Sequence, residues 1–180
     1  MKSSEQLINL AKDIFPGSNN GNPTSDMIMS KAAGSKIWDI NGNEYIDYLL
    51  GSGPMVIGHS HPKVVEAVSN QLNSGSTFFA LNELSVELGQ AIIDAVPCAE
   101  QIRYVTSGTE ATLYAMRAVR AFTGKEKILK FEGGYHGMND YSLMSLMPKT
   151  EVEYPFPSID SAGIPTAIKN EVLIAPYNDF

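Results

Sequence analysis

Ser107, Gly108 and Thr109 stand where a β-branched, aromatic stretch, Arg103 to Thr106, gives way to helical periodicity. The first stretch suits a buried strand. From Thr109 to Phe122, the residues Thr112, Ala115, Met116, Val119 and Phe122 recur on one helical face, and Gly124 stands where a left-handed cap would end the helix. Gly108 allows a sharp turn between the two elements and a close approach by a ligand. The first turn of a helix carries N–H groups without intrahelical partners and the positive end of the aligned peptide dipoles. With the hydroxyls of Ser107 and Thr109 beside them, these groups form a small anion cradle suited to phosphate. The same Ser-Gly-Thr also reads as a plain helix cap, and the tripeptide alone does not separate the two.

A second stretch adds an aromatic group. Lys127 to Phe131 is a short strand leading into Glu132-Gly133-Gly134-Tyr135-His136-Gly137, where three glycines in six residues mark a loop that bends freely or passes close to something. Tyr135 and His136 are the large side chains between those glycines. Open α/β sheets place ligands at the C-terminal ends of their strands, and a flat ring held there can stack on another. Cradle and loop fall on successive strand ends, so one can hold a phosphate while the other covers an aromatic ring. The ligand so described is a phosphorylated aromatic molecule; pyridoxal phosphate has both features, and so does a nucleotide.

The elements that position these residues follow from the rest of the pattern. Ser4 to Phe15 reads as an amphipathic helix with Leu7, Leu10, Ala11 and Ile14 on one face, capped by Ser3 or Ser4. Pro16 to Ser25 is a polar loop. Lys36 to Leu49 is a hairpin turning at Asn41-Gly42, with Ile37, Trp38, Ile40, Tyr45, Ile46 and Tyr48 as strand residues and Asp39, Glu44 and Asp47 solvated or stabilising the turn. After the bend Gly51-Ser52-Gly53-Pro54, His59-Ser60-His61-Pro62 opens a helix whose buried face is Val64, Val65, Val68 and Leu72. His59 and His61 read as capping and packing groups; metal ligation would need a third ligand that the neighbouring sequence does not offer. A further helix, Glu83 to Val96, turns Leu84, Leu88, Ala91, Ile92 and Ala95 inward. Arg117 and Arg120 face away from the site as solvated or interface charges. Met144 to Pro165 is an irregular excursion, and Glu171 to Ala175 is a last apolar strand. Strands alternating with helices predict an α/β sheet covered on both faces.

With 180 residues the chain can form one domain with a core. A net charge of −7 and a pI near 4.9 argue against nucleic acid or an anionic membrane as partner. The single cysteine, Cys98, fits a reducing compartment and reads as a small buried hydrophobe. With no early apolar run and no stretch of membrane-spanning length, the expectation is a cytoplasmic protein.

Ser107-Gly108-Thr109-Glu110-Ala111 and Phe131-Glu132-Gly133-Gly134-Tyr135-His136-Gly137 resemble segments of the class III pyridoxal-phosphate-dependent aminotransferases, and among these the glutamate-1-semialdehyde 2,1-aminomutase-like proteins. Trp38-Asp39-Ile40-Asn41-Gly42-Asn43-Glu44-Tyr45-Ile46-Asp47-Tyr48 and Gly53-Pro54-Met55-Val56-Ile57-Gly58-His59-Ser60-His61-Pro62 match the same family, so the resemblance runs from about Lys31 onward. It implies the aminotransferase fold type I: residues 1–58 as N-terminal arm and hairpin, part of a small domain, and 59–180 as the first part of the large domain with its mostly parallel sheet. It implies pyridoxal 5'-phosphate as cofactor, its phosphate on Ser107, Gly108 and Thr109, and its ring under Tyr135 with His136 beside it. It implies a homodimer, on whose partner subunit the first helix packs unless it lies on its own subunit. The substrate would be a small amino acid, amino ketone or aldehyde. The family places its Schiff-base lysine and its pyridinium carboxylate beyond Phe180, and nothing marks Lys127 or Lys130 for that role. The chain is therefore expected to be an N-terminal portion with no catalytic residue of its own. Two departures bear on the substrate: Ser52 stands where the aminomutases carry a tryptophan, and residues 146–155 are bulkier and more charged than their Gly- and Ser-rich loop. Amino transfer between two substrates and the intramolecular shift both remain open, as does a non-catalytic module that binds a phosphorylated ligand.

Overall fold

The structure, a computed structural model, describes residues 2–18, 27–148 and 152–179. Most of the expected polar loop (19–26) and Lys149, Thr150 and Glu151 of the excursion lie outside the described residues. The chain forms two compact units, Met1–Asn82 and Glu83–Phe180.

The first unit opens with α1 (Ser4–Ile14), whose start is fixed by a reciprocal cap. Ser3 Oγ accepts from the Gln6 N–H at 3.2 Å, and the Ser3 N–H donates to Gln6 Oε1 at 2.9 Å. Three antiparallel strands follow in the order β1 (Met29–Ala33), β2 (Lys36–Asp39) and β3 (Glu44–Ile46). The β2–β3 hairpin is the expected one, and Asp39 stabilises its turn. Its carboxylate accepts the N–H groups of Asn41 and Asn43 at 2.9 Å each, Asn43 Nδ2 at 2.8 Å and the Tyr45 hydroxyl at 3.2 Å. Of the turn pair, only Gly42 takes a positive φ, 88°. Tyr48, expected in the strand, lies beyond it and is exposed. β1 was not expected, because Met-Ser-Lys-Ala-Ala lacks both alternation and β-branched residues. Next, α2 (Pro62–Asn73) begins with Pro62 at its first position. His61 is its N-cap residue, but its side chain makes no capping hydrogen bond. His59 does not cap either: its Nε2 lies 2.6 Å from Asp47 Oδ2. Asp47 Oδ1 meanwhile accepts the N–H groups of Leu49 and Leu50 at 2.9 and 3.0 Å. The expected capping role of both histidines is thus corrected. Among the described residues no cluster of three His, Cys, Asp or Glu could hold a metal.

The second unit contains α3 (Glu83–Ala95), α4 (Gly108–Thr123), β4 (Ile128–Phe131), α5 (Thr166–Lys169) and β5 (Val172–Ala175). β4 and β5 are parallel, with Ile128 opposite Val172 and Phe131 opposite Ala175. The buried core is small: Met144, Val172 and Ile174, with Tyr141, Ile164 and Ile168 packed against it. Four expectations fail here or in the first unit. Arg103 to Thr106 is not in a ladder, because no described strand runs beside it. The apolar faces of α2 and α3 are open rather than buried: Val68 is 52% and Leu88 53% exposed. Cys98 is exposed. Arg120 is not solvated; its Nε donates to the Glu126 carbonyl at 2.5 Å and its guanidinium lies 4.2 Å from the Tyr141 ring centre. Among the described residues no helix is long and apolar enough to cross a membrane.

Candidate functional site

Ser107, Gly108, Thr109, Tyr135 and His136 all lie in the second unit; Ser52, exposed at φ 67°, belongs to the first. Ser107 is the N-cap of α4, in an extended conformation, and its Oγ accepts the Glu110 N–H at 3.2 Å. The Ala111 N–H closes the first helical bond onto the Ser107 carbonyl at 3.0 Å. The cap reading of Ser107 is therefore correct for the third N–H of the helix. The first two, on Gly108 and Thr109, have no hydrogen-bond partner among the described residues. A Cβ on Gly108 would find no atom within 4 Å, so the space on that side of Gly108 is open. Glu110 turns back on the residue before the N-cap and accepts both the N–H (2.8 Å) and the hydroxyl of Thr106. Those bonds, the hydroxyl's foremost, hold its carboxyl below the usual range.

The glycine-rich loop lies against this first turn. The Met138 N–H donates to Thr109 Oγ1 at 3.0 Å, and Thr112 Oγ1 donates to the His136 carbonyl at 2.8 Å. Gly137 is buried at φ 95°, and a Cβ there would sit 2.7 Å from Thr109 Cα. Only glycine permits so close a backbone approach at that φ. Tyr135, two residues earlier, is 62% exposed, so its ring is free to receive another.

Behind the loop, Lys130 is 6% exposed. Its Nζ donates to the carbonyls of Ser142 at 3.0 Å and Met144 at 2.5 Å. Burial pushes its pKa down, opposed by the charge of Asp160. An ammonium holding two carbonyls is a tether, in keeping with the absence of any mark of a nucleophile on Lys130 in the sequence. The polar groups that fasten the loop, Thr112, Asn139, Ser142 and Lys130, escaped sequence reading. Their partners are far apart in the chain, and an Asn after a Gly-Met pair carries no signature.

The donor set fits a phosphorylated ring: two unpartnered N–H groups at the positive end of a helix, hydroxyls on either side, and an exposed aromatic on a loop docked to the same turn. Comparison with known proteins points the same way. The sequence pattern of aminotransferase class-III matches residues 17–179. Glutamate-1-semialdehyde 2,1-aminomutase of Methanobrevibacter smithii is 41% identical over 98% of this chain and 41% of its own length. The crystal structure of an omega-transaminase from Sphaerobacter thermophilus superposes with a TM-score of 0.91 at 30% identity, covering 99% of this chain and 42% of that one. A transaminase with PLP bound superposes with a TM-score of 0.89 at 27% identity, covering 99% and 43%. This chain thus spans about two fifths of the length of the relatives it matches. Its α/β arrangement is that of the fold type I aminotransferases over the part present, and the chain belongs to the class-III aminotransferase family.

Proposed function

We propose that this chain serves as the N-terminal part of a pyridoxal-phosphate-dependent enzyme that transfers an amino group between small molecules. Residues 1–58 would contribute to a small domain and 59–180 would form the first part of the cofactor domain. The observation that carries this reading is the pair of unpartnered N–H groups on Gly108 and Thr109, beside the docked loop that presents Tyr135. When bound, the cofactor supplies an aldehyde that takes up an amino group and a ring that accepts the electrons of the bond broken next to it. The chain's part is to bind and orient. Gly108 and Thr109 hold the phosphate through backbone N–H groups, Ser107 and Thr109 add hydroxyls at the rim, and Tyr135 covers the ring face with His136 at its edge. Proton transfer and covalent attachment fall to residues beyond these. A homodimer in the cytoplasm, acting on an amino acid, amino ketone or aldehyde, completes the reading.

The intramolecular amino shift is the second reading, favoured by the 41% identical aminomutase. Ser52 and the bulky segment after Leu146 favour transfer between two substrates. The test is an assay of purified full-length protein with pyridoxal 5'-phosphate, scanning amino donors against keto acids and, separately, glutamate-1-semialdehyde alone. Transfer from a donor to a separate acceptor is the expected result. Isomerisation of the single substrate would establish the second reading. A protein that binds the cofactor and catalyses neither reaction would be a binding module, and one that remains colourless with added cofactor would contradict the proposal.

A further inference from the structure

The loop that presents Tyr135 is held to α4 by side chains with a fixed direction of hydrogen bonding, and Asn139 is their hub. Its Oδ1 accepts from the Ser142 N–H at 3.1 Å and from Ser142 Oγ at 3.0 Å. A backbone N–H can only donate, so this contact fixes which end of the amide is oxygen. The Nδ2 end must then face α4, where it donates to Thr112 Oγ1 at 3.1 Å and lies 3.5 Å from the Thr109 carbonyl. A hydroxyl has one hydrogen to give. With an amide N–H directed at its oxygen, Thr112 turns that hydrogen outward, and the His136 carbonyl at 2.8 Å is the nearer of its two acceptors. Asn139, Thr112 and His136 therefore form a one-way relay. On the far side, Ser142 is itself fixed by Lys130, whose ammonium holds the Ser142 and Met144 carbonyls.

We propose that Asn139 is a positioning residue for the cofactor loop: its amide sets the direction of the Thr112 hydroxyl, which in turn seats His136, and with it Tyr135, on the first turn of α4. The consequence for binding rests on the reading of this turn as a phosphate cradle; the seating of the loop does not.

The sharpest variant is Asn139→Asp. It keeps the size and the acceptor toward Ser142 but replaces the donor with a second acceptor. The Thr112 hydroxyl then turns its hydrogen to the carboxylate, a charge-assisted bond stronger than the neutral one, and the His136 carbonyl loses its partner. Thr112→Val removes the relay while keeping the shape, and Thr112→Ser restores the hydroxyl. The readout is hydrogen exchange of the cofactor-free full-length protein at the Met138 N–H, which is protected by Thr109 Oγ1. Exchange should quicken roughly tenfold or more in Asn139→Asp and Thr112→Val, from loss of one hydrogen bond, and stay near wild type in Thr112→Ser. Amides of the β4–β5 ladder should not change. Wild-type exchange at Met138 in both variants, or equal quickening in the ladder, would overturn the proposal, the second by showing general loss of stability. In the second arm, pyridoxal 5'-phosphate should bind Asn139→Asp about tenfold more weakly. Unchanged affinity beside quickened exchange would contradict the positioning role. If the wild-type protein bound no cofactor, the functional reading would fail, while the exchange arm would still decide whether Asn139 seats the loop.

Discussion

At the scale of single residues, the structure gives Thr109 two tasks. Its N–H and hydroxyl border the cradle, and its Oγ1 also accepts the Met138 N–H that docks the loop. Hydrogen bonds to charged groups are typically worth about 1.5–3 kcal/mol. Thr109→Ala is therefore expected to weaken pyridoxal 5'-phosphate binding roughly ten- to a hundredfold, read by titration. Thr109→Ser should restore most of the loss, and equal affinity of the Ala variant and wild type would remove the Thr109 hydroxyl from the site. Tyr135→Phe keeps the ring face and should bind nearly as wild type, whereas Tyr135→Ala should not. Gly137→Ala is the severest change, because its Cβ would meet Thr109 backbone at 2.7 Å with no flexible atom to give way. Loop and cradle could not then dock, and cofactor binding should be lost while the β4–β5 ladder stays protected from exchange. These positions were legible in the sequence because glycine and a helix start have local signatures. Asn139 and Lys130 were not, since their roles depend on groups 27 and 12 positions away.

At the scale of elements, boundaries marked by local chemistry were legible: Ser3 before α1, Pro62 opening α2, Ser107 opening α4 and Gly124 closing it at φ 68°. Pairing was not. Arg103 to Thr106 has strand composition but no partner among the described residues, and ladders depend on chain that is distant in sequence. The junction into α4 is held instead by Glu110 on Thr106. A carboxylate whose pKa is depressed on folding stabilises the fold above its unfolded value, and that contribution is lost as pH falls through the folded value. Glu110 is lowered from 4.5, so the junction should loosen on acidification from that pH downward. Exchange at the Thr106 N–H, followed against pH relative to intrinsic rates, should show this transition, and Glu110→Gln should abolish it. A wild-type profile with no step below that pH would contradict the anchor.

At the scale of the whole molecule, periodicity marks apolar faces on α2 and α3, and the chain leaves them uncovered rather than buried. Val64, Val65, Val68, Leu72, Leu84 and Leu88 are all about half or more exposed. Burying one such side chain is worth about 1.5–3 kcal/mol, so open faces of this size cost stability. What would cover them is not legible in these 180 residues, which match about two fifths of each relative's length. The 180-residue chain by itself is expected to bind a hydrophobic dye strongly, melt with little cooperativity and show no transamination. A sharp melt without dye binding, or cofactor-dependent amino transfer, would contradict that expectation. The central claim is that the first turn of α4 binds a phosphate beside Tyr135. Its most direct test is to titrate the purified full-length protein with pyridoxal 5'-phosphate and with pyridoxal, which lacks the phosphate. Two charge-assisted bonds from the Gly108 and Thr109 N–H groups predict a preference for the phosphorylated form of roughly a hundredfold or more. Thr109→Ala, which removes the hydroxyl but keeps both N–H groups, should reduce that preference roughly tenfold or more without abolishing it. Equal affinity for the two ligands would show that the phosphate binds elsewhere, and a preference untouched by that substitution would remove the Thr109 hydroxyl from the cradle.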